Sequence, residues 1–175
     1  MKTEVRICGL GGQGVVLAGQ ILGRAAAYDG KNVVQTQTYG AEARGSAARS
    51  EVIISDSKIG YPVARKCDVL VAMSQEAAEA NIKDLKEEGT LIIDSSIVTK
   101  TPETKAKTLS IPATQAAEAS FGNRLYANMV MLGALTEATR IASEKAMQKA
   151  IEDTVAAKDA EADKQAYKKG KDLVG

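Results

Sequence analysis

Two hydrophobic periods alternate along the chain. Glu4–Cys8 places apolar residues at every second position and predicts a first strand. Val15–Ala27 places Val16, Ala18, Ile21, Leu22 and Ala25 on one side of a helix that Gly30 would stop. Lys31–Thr38 and Arg49–Ser55 return to strand-like patterns, and Ser55–Lys58 offers a turn into a short Ile59–Tyr61 segment that would pair with Arg49–Ser55 as a local antiparallel excursion. Asp68–Met73 and Thr90–Asp94 are nearly all apolar between polar flanks, the mark of strands buried on both faces. Between them Ser74 would cap a helix over Gln75–Lys86, with Glu76 in its first turn and Gly89 as its stop. Thr108–Ile111 is a further short strand.

Two helical tracts follow. Arg124–Arg140 carries Leu125, Met129, Leu132 and Leu135 at helical spacing. A second tract, capped by Ser143 and running from Glu144 to about Lys169, has only a thin stripe of Met147, Ile151 and Val155. Its end is nearly all small or charged, which suits either solvent or another chain. Strands alternating with helices predict an α/β fold: a doubly wound, mostly parallel sheet with helices on both faces and a C-terminal helical extension. The expected division is an α/β domain over residues 1–140 and the extension over 141–175.

Between the first strand and helix lies Gly9-Leu10-Gly11-Gly12-Gln13-Gly14, which contains Gly-x-Gly-x-x-Gly. In such a turn the first glycine permits the bend, the second lets a ligand approach the backbone, and the third allows helix to pack on strand. Free amides and the helix dipole then favour a phosphate or carboxylate. A dinucleotide would also require an acidic residue ending the second strand. Gln35, Thr36, Gln37 and Thr38 occupy that region, and none is a carboxylate.

The second strand runs into Tyr39-Gly40-Ala41-Glu42-Ala43-Arg44-Gly45-Ser46. In an open α/β sheet this loop shares the carboxyl edge with the glycine turn. Arg44 offers a planar fork for phosphate or carboxylate, so Gly11–Gly14 and Arg44 together suggest one anion-recognition edge. Two plainer readings stay open: the glycines serve packing alone, and the charges form Glu42–Arg44 or Glu51–Arg49 ion pairs. Ser74, Ser95 and Ser96 end later strands and suit capping or turns better than ligand binding.

Composition narrows the chemistry. The chain of 175 residues contains no His, which removes imidazole bases, Ser-His-Asp triads and His-based metal sites. Cys8 and Cys67 are isolated in apolar contexts, fit reduced buried thiols, and cannot supply a four-thiolate cluster. With a single Phe and no Trp, the core must be aliphatic. A formal charge of +1 gives no bias towards nucleic acid or acidic membrane. Gln20 and Arg24 interrupt the longest apolar run well short of the roughly eighteen residues that span a bilayer. Met1–Glu4 leads into a strand without a signal-like apolar region, so the expected location is cytoplasmic.

The segments Gly9–Val15, Tyr39–Gly45 and Asn128–Ala134, in this order, closely resemble the gamma subunit of 2-oxoacid:ferredoxin oxidoreductases over roughly residues 3–140. Val33–Gly40 looks more like the 2-oxoglutarate type than the pyruvate type. Ser46 stands where family members usually carry a second glycine. The resemblance implies a non-catalytic subunit of an enzyme that decarboxylates a 2-oxoacid on thiamine diphosphate, passes electrons through iron–sulfur clusters to ferredoxin, and releases an acyl-coenzyme A. It implies that thiamine diphosphate and the clusters sit on alpha, beta and ferredoxin-like partner subunits. This chain would support assembly and a coenzyme A edge formed by Gly11, Gly12, Gln13, Gly14, Tyr39, Glu42, Arg44, Gly45 and Ser46. An independent nucleotide-binding protein and a purely structural interaction module are the alternatives.

Overall fold

The computed structural model describes residues 1–40, 46–62 and 65–174. Six strands form one sheet: β1 (Lys2–Leu10), β2 (Asn32–Tyr39), β3 (Ala47–Ser55), β4 (Cys67–Ala72), β5 (Leu85–Asp94) and β6 (Lys107–Ile111), in the order β2-β3-β1-β4-β5-β6. β1, β4, β5 and β6 are parallel neighbours, whereas β3 runs antiparallel to both β1 and β2. The expected mostly parallel α/β sheet is present, but its antiparallel member differs from the expected one. Ile59–Tyr61 forms no strand. β3 instead returns directly from β2, with the Gly40 amide donating to the Ala47 carbonyl at 2.7 Å, and fills the place beside β1. A short return can only be antiparallel, because a parallel connection needs a crossover of a dozen or more residues.

Alternation along each strand divides the interior. Val5, Ile7, Val52, Ile54, Val69, Val71 and Ile92 face α1 (Val15–Tyr28), α3 (Ala113–Phe121), α4 (Ala127–Thr139), α5 (Glu144–Thr154) and α6 (Ala160–Val174). Cys8, Leu70, Ala72, Leu91 and Ile93 face α2 (Gln75–Asn81) on the other side. Helices therefore cover both faces, as the doubly wound pattern predicts.

Several elements depart from the sequence pattern. α2 ends at Asn81, not Lys86; a single 3₁₀ turn leads straight into β5, and Gly89 sits inside that strand. A Cβ there would come within 2.6 Å of the Asp68 carbonyl, so Gly89 serves a close approach beside the β4–β5 irregularity and does not stop a helix. α3 carries no apolar stripe strong enough to signal it, being built on Ala113, Ala116 and Ala117. The tract after Ser143 breaks at Val155 into α5 and α6.

The last helix packs on its own chain. Ala166 and Tyr167 join the main core, and the Tyr167 hydroxyl lies 2.6 Å from Thr136 Oγ1. Small residues make the crossing possible: a Cβ on Gly170 would overlap the Val130 carbonyl, and one on Gly133 would overlap that of Tyr167. α4 and α6 thus meet backbone to backbone, which explains how a helix of small and charged residues can be held firmly. Gly19 does the same for α1 on β3, where a Cβ would overlap Ser50.

Gly170→Ala should cost about 1–3 kcal/mol, because the added methyl must push two backbones apart. Thermal unfolding would show this as a Tm lowered by several degrees. Asp163, on the covered side of α6, has its carboxyl raised to about 6 by burial and by Asp159. A folded value above the unfolded one means the native state binds more protons between these values, so this group's contribution weakens as pH rises from about 4 to 6. Asp163→Asn should raise stability at pH 7 and flatten this slope, as read from denaturant unfolding at several pH values.

Candidate functional site

The glycine turn closes β1 and opens α1 at the carboxyl edge of the parallel strands. Its shape follows from positive φ angles at Gly12 (92°) and Gly14 (75°), a region that other residues occupy at a cost. Gln13 locks the turn. Its Oε1 accepts from the Leu10 amide at 2.7 Å, and its Nε2 donates to the Met73 carbonyl at 2.9 Å. One carboxamide therefore ties the end of β1 to the end of β4. Gly14 is the N-cap of α1 and offers no side-chain cap. Asn128, at the start of α4, lies over it, donating Nδ2 to the Gly14 carbonyl at 3.3 Å, and a Cβ on Gly14 would overlap this carboxamide.

The loop after β2 meets the same turn. The Gly11 amide donates to the Ser46 carbonyl at 2.7 Å, and Ser46 is buried. Gly11, Gly12, Gln13 and Ser46 are thus brought together, with Gly14 beneath them. Tyr39 ends β2 with 60% of its surface exposed. Glu42, Arg44 and Gly45 lie outside the described residues. The Gly11 and Gln13 amides are engaged inside the protein, the latter on the Leu10 carbonyl at 3.1 Å. Close packing accounts for Gly14 and for Gly9, whose Cβ would overlap the Gln13 side chain, whereas Gly12 faces open space.

Beside the turn opens a pocket of about 280 Å³, walled by Leu10, Gly12, Met73, Thr114, Arg124 and Leu125. Arg124 brings an exposed guanidinium, 3.7 Å from Glu118, to a mainly apolar recess. Sequence periodicity misses this pair because it reads Leu125 as the inner face of a helix. Arg124–Tyr126 is a 3₁₀ turn before α4, and it leaves Leu125 62% exposed. Nothing in the local pattern distinguishes such a turn from the first turn of α4.

The neighbouring serines cap. Ser74 Oγ accepts from the Ala77 amide at 3.1 Å, and Ser96 Oγ accepts from the Gln115 amide at 3.0 Å. Buried Asp94 accepts from Thr114 Oγ1 at 2.6 Å and fixes the end of β5 to α3. On the opposite face Arg49 pairs with Glu51 at 3.1 Å, and buried Arg6 bridges Glu51 at 3.4 Å and Asp84 at 2.6 Å. Burial pushes the Cys8 thiol up to about 12 and the Cys67 thiol up to about 11, so both stay protonated near neutrality. Among the described residues no group of three or more His, Cys, Asp or Glu gathers where it could hold a metal ion. Nor is any described helix long and apolar enough to cross a membrane.

The strand order also bears on dinucleotide binding. β3 stands between β1 and β2, which sets the end of β2 two strand spacings from the glycine turn, roughly 10 Å. The usual contact between an acidic residue of the second strand and a ribose held over the first turn is out of register here as well as lacking its carboxylate.

A glycine turn closed by a glutamine and met by a returning β hairpin defines a particular kind of α/β domain. Residues 4–173 match the family described as pyruvate ferredoxin/flavodoxin oxidoreductase, and the chain belongs to this family. It is 46% identical to the 2-oxoglutarate synthase subunit KorC of Methanothermobacter marburgensis, over 99% of this chain and 97% of that one. It is 47% identical to the subunit of the same name from Methanocaldococcus jannaschii, over 97% and 92%. Among solved structures, the gamma subunit of a keto/oxoacid ferredoxin oxidoreductase from Geobacter sulfurreducens superposes with a TM-score of 0.88 at 41% identity, covering 98% of both chains. A 2-oxoglutarate:ferredoxin oxidoreductase from Magnetococcus marinus, with 2-oxoglutarate, coenzyme A and succinyl-CoA bound, gives 0.90 at 28% identity. This chain spans 99% of its own length there but 31% of that longer chain.

Gln13→Ala should leave the Leu10 amide without its partner and cost about 1–3 kcal/mol. Denaturant unfolding measures that loss. An unchanged midpoint would mean that the β1–β4 tie is not borne by this side chain.

Proposed function

We propose that this chain is the gamma subunit of a 2-oxoglutarate:ferredoxin oxidoreductase, a non-catalytic subunit that supports assembly and forms one edge of the coenzyme A site. The carrying observation is the end-to-end similarity to subunits named for 2-oxoglutarate synthase, 46% over nearly the whole of both chains. Bound thiamine diphosphate and iron–sulfur clusters would supply decarboxylation and electron transfer from the alpha, beta and ferredoxin-like partner subunits, with ferredoxin as the acceptor. A chain without His, whose two thiols are buried, fits that division of labour. The complex would work in the cytoplasm, away from membrane and nucleic acid.

The coenzyme A edge rests on position and charge. Gly11, Gly12, Gln13, Gly14 and Ser46 meet at the carboxyl edge of the sheet, where ligands of open α/β sheets collect. Tyr39, Glu42, Arg44 and Gly45 precede Ser46 in the sequence. With the Gly11 and Gln13 amides already bonded, side-chain cations must provide most of the attraction for phosphate, and Arg44 is assigned that part. The turn's contribution is steric: its glycines leave room for a ligand beside the backbone.

The test is the assembled enzyme carrying Arg44→Ala in this subunit. The KM for coenzyme A should rise by about 5- to 150-fold, the equivalent of about 1–3 kcal/mol for a charge-assisted hydrogen bond, while the KM for the 2-oxoacid holds. An unchanged coenzyme A constant in an intact complex would remove Arg44 and its edge from the site. Failure of this chain to co-purify with a thiamine-binding subunit at native expression would overturn the subunit reading itself.

A further inference from the structure

The turn that carries Arg124 and Leu125 is fastened on both sides. Behind it the Phe121 and Tyr126 rings meet at 5.7 Å, and within it Asn123 Oδ1 accepts from the Leu125 amide at 2.9 Å. One cationic and one apolar side chain are thereby held at the recess of about 280 Å³ beside Gly12, where the backbone faces open space. Arg124 pairs with Glu118 through Nε at 3.7 Å, and both side chains are more than half exposed, so exchanging Glu118 for a ligand anion costs little. Inside the recess the polar wall groups are engaged. The Gln13 carboxamide bonds to Leu10 and Met73, the Thr114 hydroxyl to Asp94, and the Gly11 amide to Ser46.

We propose that this recess receives the adenine of coenzyme A and that Arg124 binds the 3′-phosphate on the neighbouring ribose. The inference rests on the coenzyme A reading above and makes Arg124 and Leu125 specificity residues for the nucleotide end. The size of the recess falls just below the roughly 300–1,000 Å³ that encloses a whole drug-sized ligand, so it suits one moiety. The walls choose which. Pantetheine carries two amides, and burying them against groups that are already bonded leaves them without partners. A flat base can lay its face on Leu10 and Leu125 and turn its polar edge to the mouth. The guanidinium there both stacks on such rings and forks onto phosphate. Under the coenzyme A reading the thiol end is directed to the thiamine diphosphate of a partner subunit, which leaves the nucleotide end for this chain.

The test uses the assembled enzyme with two cosubstrates, coenzyme A and 3′-dephospho-coenzyme A. The wild-type enzyme should have a KM about 5- to 10-fold lower for coenzyme A, the modest end for a charge-assisted contact because Arg124 is exposed. Arg124→Ala should erase that preference by raising the coenzyme A constant alone, and Arg124→Lys should restore part of it. Leu125→Ala should raise both constants by a similar factor of about 2 to 5, since both cosubstrates carry the base. A wild-type enzyme indifferent to the 3′-phosphate would overturn the proposal, as would a preference that survives Arg124→Ala or constants unmoved by Leu125→Ala. Loss of assembly in Leu125→Ala would assign the recess to a partner subunit and equally overturn it. Arg44→Ala separates the two readings. If it raises the coenzyme A constant while Arg124→Ala does not, only the nucleotide-end assignment falls; no change with either variant removes the coenzyme A edge as a whole.

Discussion

One carboxamide holds the glycine corner of this domain in place. Gln13 reaches back to the last residue of β1 and sideways to the carbonyl that follows β4, so the ends of two parallel strands and the start of α1 form one rigid corner. The Met73 amide also donates to the Cys8 carbonyl at 2.9 Å, so backbone and side chain together join the two strand ends. Gly9 and Gly14 are then explained by what the corner must admit: the Gln13 side chain and the Asn128 carboxamide. The return loop completes it through Ser46, whose carbonyl takes the Gly11 amide.

The same logic extends through the helical layer. Where an aromatic-poor chain cannot fill space with large side chains, it brings backbones together. Gly19 seats α1 on β3, and Gly133 with Gly170 seats α6 on α4, with the Tyr167–Thr136 hydrogen bond satisfying the polar atoms at the crossing. Close approach gives dispersion contact without bulk, at the cost of tolerating no added methyl group. This is why the C-terminal helix can be largely Ala, Lys, Asp and Glu outside and still be fastened to the core.

At the corner the Gly11 and Gln13 amides are bonded within the protein, while Gly12 faces open space. The chain's family is shown over nearly its whole length, and the matched relatives are named as subunits.

What the sequence by itself determined was most of what is local. Alternation named the first strand and short apolar runs the buried ones, the strand–turn–helix context located the glycine corner, and the missing His and separated Cys removed whole classes of chemistry, because each depends on a few adjacent residues or on simple inventory. What only the tertiary structure decided was everything that depends on distant partners. β3 entered between β1 and β2, the Gly11 amide went to Ser46, α2 yielded to β5 at Leu85, and Leu125 emerged at the surface beside Arg124. A glycine reads the same whether it frees an amide for a ligand or admits a neighbouring helix. The difference lies in which atoms stand opposite it, and those come from residues dozens or a hundred positions away.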